Sequence, residues 1–364
     1  EEHPFRGIFD GGNFEIDGFD TDVSTAGYGL FGYVENARIK NLTVGGFFKS
    51  GIKTGGIAGA AVGSTFENCL NNAVFTVSGG DVGGIAGYAT SCTFTNCKNT
   101  AQFANTSSGN IGGIAGNTVG CTYTDCANGI AGEAPAAAVT GTGNIGGVAG
   151  SAEGGSFTNC INAGTVEGKG TADKTGGIAG KVTSAGVFDG CRNTAAVKGA
   201  GTTGGIAGYA VAGSEENTPV FTDCYNGEDA TVDGTTTGGI AGWTVDYSRF
   251  NRCHNAGAVT GTVNAGGVAG QTGIKAYFYN CYNGKTVNGG STPAGGVVGC
   301  AKNTYNAYVL FDRCYNAEGA TVNGSYTGGV IGQAAASWSD NRSAYNACYN
   351  EGTVTGTNST GGVA

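Results

Sequence analysis

Ten cysteines stand in one fixed setting: Cys69, Cys97, Cys126, Cys160, Cys191, Cys224, Cys253, Cys281, Cys314 and Cys348. Each follows an aromatic by three residues, as in FTNCKN from Phe94, and each precedes an asparagine by two. Those asparagines are Asn71, Asn99, Asn128, Asn162, Asn193, Asn226, Asn255, Asn283, Asn316 and Asn350. Such a series could be a metal array, a set of nucleophiles, a disulfide frame or architecture. A zinc or iron–sulfur site needs clustered CxxC-like pairs or converging histidines. The only close pairs are Cys92/Cys97 and Cys121/Cys126, and the only histidines are His3 and His254. A cysteine nucleophile needs a histidine base, yet His254 directly follows Cys253 and so points to the opposite face of a strand. Gly180-Lys181 fails as a phosphate loop, because Thr175 replaces the first Gly and Val182 the Ser or Thr. No catalytic residue, cofactor or metal is expected.

The elements that position these residues form a repeat. A Gly-Gly-[Ile/Val] motif begins at Gly55, Gly83, Gly112, Gly146, Gly176, Gly204, Gly238, Gly266, Gly295, Gly328 and Gly361. The aromatic-to-cysteine stretch and a Val-x-Gly piece, as at Val166 and Val287, complete each unit. These are three short β-like pieces per unit, bounded by Gly, Asn, Thr and Ser. A unit of about 30 residues cannot bury its own apolar face, so units must stack. The expectation is an all-β fold, a right-handed parallel β-helix (β-solenoid) of about 11–12 coils. Its length would be on the order of 55 Å from the strand spacing. Residues 1–27 read as an N-terminal β cap, and 28–364 as one solenoid. The opening at Glu1 without a signal peptide reads as a processed segment, and the stop at Gly361–Ala364 within a repeat as a chain that continues or is covered.

In the first unit IKNLTV from Ile39 places Leu42 where the cysteine would stand, so the position wants a small hydrophobe. Aromatic and cysteine point inward; Thr95 and Thr124, two residues before the cysteine, point to water. Buried free cysteine packs as a small hydrophobe, which favours a mostly reduced ladder. The best candidate for a disulfide is Cys92 with Cys121, equivalent positions in consecutive units. An inward Asn column would bond to backbone and to the Asn above and below, and Asn also tolerates left-handed backbone.

With 73 Gly but no Gly-X-Y period the chain is not collagen, and 40% apolar residues suffice for a core. A formal charge of −9 with no basic stripe disfavours nucleic acid, and no apolar run is long enough to span a membrane. Charged residues, 12% of the chain, do not stack into the acidic patch that a β-helix lyase or hydrolase would use. Outward between Cys and Asn stand Tyr225, His254, Tyr282, Tyr315 and Tyr349, a candidate row for a ligand or partner. The ordinary reading of that row is sheet cover. The Gly-Gly-Ile-Ala-Gly piece reads as a smooth face suited to self-association into a fibre.

GGIAG, YNCYN from Tyr279, KTVNG from Lys285 and GGVVG at Gly295 together resemble the GLUG-motif repeats of bacterial surface proteins. The resemblance spans almost the whole chain. It implies an extracellular, secreted or cell-surface β-solenoid in an adhesin-like protein, with a host or matrix glycan or protein as partner. Similar repeats accompany some IgA-cleaving metallopeptidases, but their His-Glu-x-x-His is absent here. The expected function is a non-enzymatic stalk, adhesin or fibre segment. The alternative is a carbohydrate-binding or carbohydrate-processing β-helix using an outer face.

Overall fold

The computed structural model describes residues 3–21, 28–49, 52–76, 79–130, 137–303, 308–336 and 343–364. Among them there is no helix, and the strands stack in parallel as a β-solenoid. Two sheets run its length, one of 37 short strands and one of 11. Like positions pair with like: Phe66 opposite Phe94 and Asn71 opposite Asn99, then Phe94 opposite Tyr123 and Asn99 opposite Asn128. A chain that repeats its pattern at every coil keeps its register without any one dominant contact.

A single coil shows why the strands are short. Lys53–Gly55 ends at the glycine pair, and Ala58–Val62 begins the other sheet. Thr65–Glu67, Leu70–Asn71 and Val74–Phe75 then return along the larger sheet. The coil therefore holds five strand segments, not the three expected. Gly-Gly-Ile-Ala-Gly is a corner between the sheets rather than one strand.

In every repeat but the last two that corner is also buried throughout, so along the rod it offers no smooth face to a neighbour. The reason is backbone crowding. A Cβ on Gly147 would lie 2.1 Å from Gly177 O and 2.7 Å from Asn162 Oδ1, and one on Gly150 2.3 Å from Ile111 N. Glycine is the residue that lets backbone approach this closely.

The second corner lies just before each cysteine. Asn68, Asn96, Asp125, Asn159, Asp223, Arg252, Asn280, Arg313 and Ala347 all have φ between 49° and 55°. The left-handed column is thus the variable residue before the cysteine, not the asparagine after it. The ladder asparagines sit in two-residue strands such as Lys98–Asn99.

The core is built from columns. Phe66, Phe94, Tyr123, Phe157, Phe188, Phe221, Phe250, Phe278 and Phe311 stack face to face, with centroids 4.7–5.1 Å apart. Phe48, Phe75 and Phe103 form a shorter stack, with centroids 4.9 and 4.5 Å apart. Leu42 is buried below Cys69 as expected. The anticipated cap strand, Ile8–Thr21, pairs in parallel with Arg38–Phe48 and has Phe9 opposite Ile39 and Phe14 opposite Leu42. It behaves as a partial extra coil; residues 22–27 lie outside the described residues.

Candidate functional site

The asparagine column is continuous. Asn71 Nδ2 donates to Asn99 Oδ1 at 2.7 Å, and the same bond links every successive pair to Asn350 at 2.7–2.9 Å. Asn99 illustrates full use of a carboxamide. Its Nδ2 donates to Asn128 Oδ1 and Ala101 O, and its Oδ1 accepts from Asn71 Nδ2 and the Ala101 N–H. Burial at 0% exposure is tolerated because two donor protons and two acceptor lone pairs are all engaged.

The cysteine column runs alongside. Cys97 Sγ lies 3.5 Å from Phe66 O of the preceding coil and 3.6 Å from Thr95 O of its own. The same two contacts recur from Cys69 to Cys348. The ten ladder cysteines are free thiols, as are the proposed pair Cys92 and Cys121. In that pair the Cys92 N–H donates to Cys121 Sγ at 3.4 Å, just as the Ser64 N–H donates to Cys92 Sγ. Side chains repeated in one orientation keep their sulfurs a coil apart, far from the ~2.05 Å of a disulfide. Burial pushes the Cys126, Cys160, Cys224 and Cys281 thiols well above their usual range, while for Cys97, Cys191 and Cys253 the same burial is opposed by hydrogen bonds from neighbouring thiols that lower theirs. It is the burial of the column from Cys69 to Cys314 that suits packing rather than nucleophilic attack.

On the outer face the structure does bring the candidate row together. Tyr225 and His254 lie 4.4 Å apart; His254–Tyr282, Tyr282–Tyr315 and Tyr315–Tyr349 stack at 4.8, 4.9 and 4.8 Å. The three stacked pairs are within 8° of parallel. The Arg192 guanidinium, 5.6 Å from the Tyr225 ring centre, closes the lower end. Burial lowers the His254 pKa below its usual value. The decisive feature is what the stack hides. Ring faces inside it are spent on each other, so the row shows edges and hydroxyls rather than the open faces on which a sugar stacks.

Beside the row runs an open groove of about 620 Å³, lined by Asn280, Tyr282, Arg313, Tyr315, Ala347 and Tyr349. Asn280, Arg313 and Ala347 belong to the left-handed corner column, which the sequence marks only by its variability. A smaller groove of about 270 Å³ lies along the same columns near Leu70 and Lys98. A second aromatic patch was also not anticipated: Tyr277 Oη lies 2.7 Å from Tyr308 Oη, and the Arg249 guanidinium 5.8 Å from the Tyr277 ring centre. Tyr277 and Arg249 fall at an outward position filled by Thr in earlier coils, Thr93 and Thr122, and Tyr308 lies just before the strand of the next coil, so no repeat signal marks them. Among the described residues no three His, Cys, Asp or Glu side chains converge on a point that would hold a metal ion. No family model matches the chain, and no curated protein matches it.

Proposed function

We propose that this chain is a non-enzymatic structural rod, a stalk, adhesin or fibre segment of an extracellular or cell-surface protein. The observation that carries the reading is the unbroken asparagine ladder from Asn71 to Asn350. Each coil is tied to the next by the same buried bond, and the interior residues serve packing alone. A fold spent on coil-to-coil repetition suits holding things apart better than shaping a pocket. The placement outside the cell rests on the resemblance of the repeat to GLUG-motif surface proteins.

The test is mechanical. Pulled from its two ends, the chain should resist force and lengthen in steps of one or a few coils, and Asn226→Leu should lower the force at one step. Extension without discrete resistance would contradict a load-carrying role.

The groove beside Tyr282 and Tyr315 favours a second reading, in which an outer face binds a glycan or protein partner. Contact would come through tyrosine hydroxyls, Asn280 and Arg313. A Tyr282→Ala/Tyr315→Ala variant should then lose a glycan-array or partner signal that the parent gives. Identical signals from both proteins would remove this site.

A further inference from the structure

The tyrosine row spends its ring faces on itself, but the aromatics at one corner of the rod do not. There an outer column of the 11-stranded sheet runs through Lys181, Tyr209 and Trp243 in successive coils. The Tyr209 and Trp243 rings stand at 80°, with centroids 5.3 Å apart. Across the corner, on the larger sheet, Tyr277 and Tyr308 repeat the arrangement at 79° and 5.8 Å. In such a pair one ring meets the other with its edge, so the edge-on ring keeps both faces clear of its partner.

The turn between the two pairs is strained. An early coil passes from Ala58–Val62 to Thr65–Glu67 through Gly63 and Ser64. Between Ala241–Val245 and Arg249–Asn251 stand three residues, Asp246, Tyr247 and Ser248. Asp246 and Tyr247 are both left-handed, with φ of 45° and 55°. A bulky residue is a real outlier in that backbone, and strain of this kind clusters at binding and active sites.

The extra residue brings a further ring to a hydrogen-bonding rim. The Lys275 ammonium lies 5.2 Å from the Tyr247 ring centre and pairs with Glu215 at 3.4 Å. Asp246 Oδ1 accepts from the Ile274 N–H at 3.0 Å, which leaves the second carboxylate oxygen for a ligand. Burial, and then the Asp246 carboxylate, raise the Tyr209 pKa, so the rim reaches the first aromatic pair. Tyr209, Trp243, Asp246, Tyr247 and Lys275 are all half-buried.

A hexopyranose complements such a surface. Its ring C–H groups form an apolar face, and its rim of hydroxyls both donates and accepts. Charges of both signs stand at the corner, so it offers hydrogen bonds to hydroxyls rather than a field for an ion. Three coil steps, about 14 Å at the strand spacing, separate the coil of Tyr209 from that of Tyr308. That is room for a few sugars in a chain.

We propose that this corner is a binding site for a neutral glycan chain, with one sugar against the Tyr209/Trp243 pair and another against the Tyr277/Tyr308 pair. Asp246 and Glu215 accept from its hydroxyls, and Lys275 donates to them. The site rests on the reading that an outer face takes a glycan, but uses none of the residues that line the groove beside Tyr282 and Tyr315.

The experiment is affinity electrophoresis of the full chain through native gels that hold hydroxyethylcellulose, galactomannan or laminarin, with polygalacturonate as the acidic control. At least one neutral gel should retard the protein, and polygalacturonate should not. Trp243→Ala should weaken that binding about tenfold, while Tyr282→Ala/Tyr315→Ala leaves it unchanged. Retardation in no neutral gel, or stronger retardation by polygalacturonate, would overturn the proposal. So would unchanged retardation of Trp243→Ala; if Tyr282→Ala/Tyr315→Ala then loses it, the glycan lies in the groove instead. Should Trp243→Ala fail to fold, Tyr247→Gly decides, because glycine takes the left-handed backbone freely. Its melting temperature should hold while retardation falls, and unchanged retardation would count against the site.

Discussion

At the scale of single residues, the columns make exceptions informative. Tyr123 is the one tyrosine in the long phenylalanine stack between Phe66 and Phe311, and its hydroxyl is buried with no hydrogen-bond partner. Thr118, its polar neighbour, donates instead to Ser151 O at 3.3 Å. Leaving such a group unpaired costs about 1–3 kcal/mol. Tyr123→Phe should therefore raise the melting temperature or leave it unchanged, as calorimetry would show; a clear fall would reveal a partner for the hydroxyl. His254 gives a pH prediction. Burial, with Arg192 adding a smaller push, lowers its pKa, while Asp223 and the Cys253 thiol partly oppose the shift. The unfolded chain takes up a proton near the ordinary histidine value of about 6.5 while the folded chain still resists it. Its contribution to stability is full above that value and is lost as pH falls through the lower folded value. An NMR titration should place His254 below the ordinary histidine value of about 6.5; titration at or above that value would contradict its desolvation in the stack.

At the scale of the element, the unit is the pair of corners that turns each coil. Gly147 sits where the corner presses on the ladder, and an added Cβ would meet backbone oxygen and the Asn162 side chain. Gly147→Ala should cost at least the ~1–3 kcal/mol typical of overpacking, measured by denaturant unfolding. No measurable loss would mean that the corner has room. The ladder has a matching prediction, since Asn226→Leu removes the acceptor of one Asn193 Nδ2 proton and the donor to Asn255 Oδ1 inside the core. That should cost about 1–3 kcal/mol. These elements also mark what was legible beforehand. The repeat, the inward Phe and Cys, and the bonded Asn column could be read because ten copies separate fixed letters from free ones. The residue before each cysteine, as at Asn68, Asp125, Gly190 and Arg313, could be read as a corner from its variability, but its left-handed backbone could not. The left-handed residue is Asn in one coil and Arg or Ala in another, since neighbouring coils hold its backbone whatever its type. The glycine motif looks like a smooth strand in one dimension, and its burial follows only from the packing of coils above and below. The tyrosine row was legible as a row, but not that its ring faces are occupied by each other.

At the scale of the molecule, identical coils make stability a sum of nearest-neighbour terms. Damage to one coil should weaken its neighbours first and leave distant coils intact. Chain length is absorbed outside this frame. Ala207–Val211 is separated from Val220–Thr222 by an exposed loop, whereas Ala58–Val62 leads almost at once into Thr65–Glu67. Insertions there leave every ladder in register. The central claim is that the buried asparagine bonds tie coil to coil. Native-state hydrogen exchange on the parent and on Asn226→Leu, read coil by coil, tests it most directly. The account predicts lost protection in the coils of Asn193, Asn226 and Asn255, with the coils of Asn71 to Asn128 unchanged. Unaltered protection throughout the variant would contradict it.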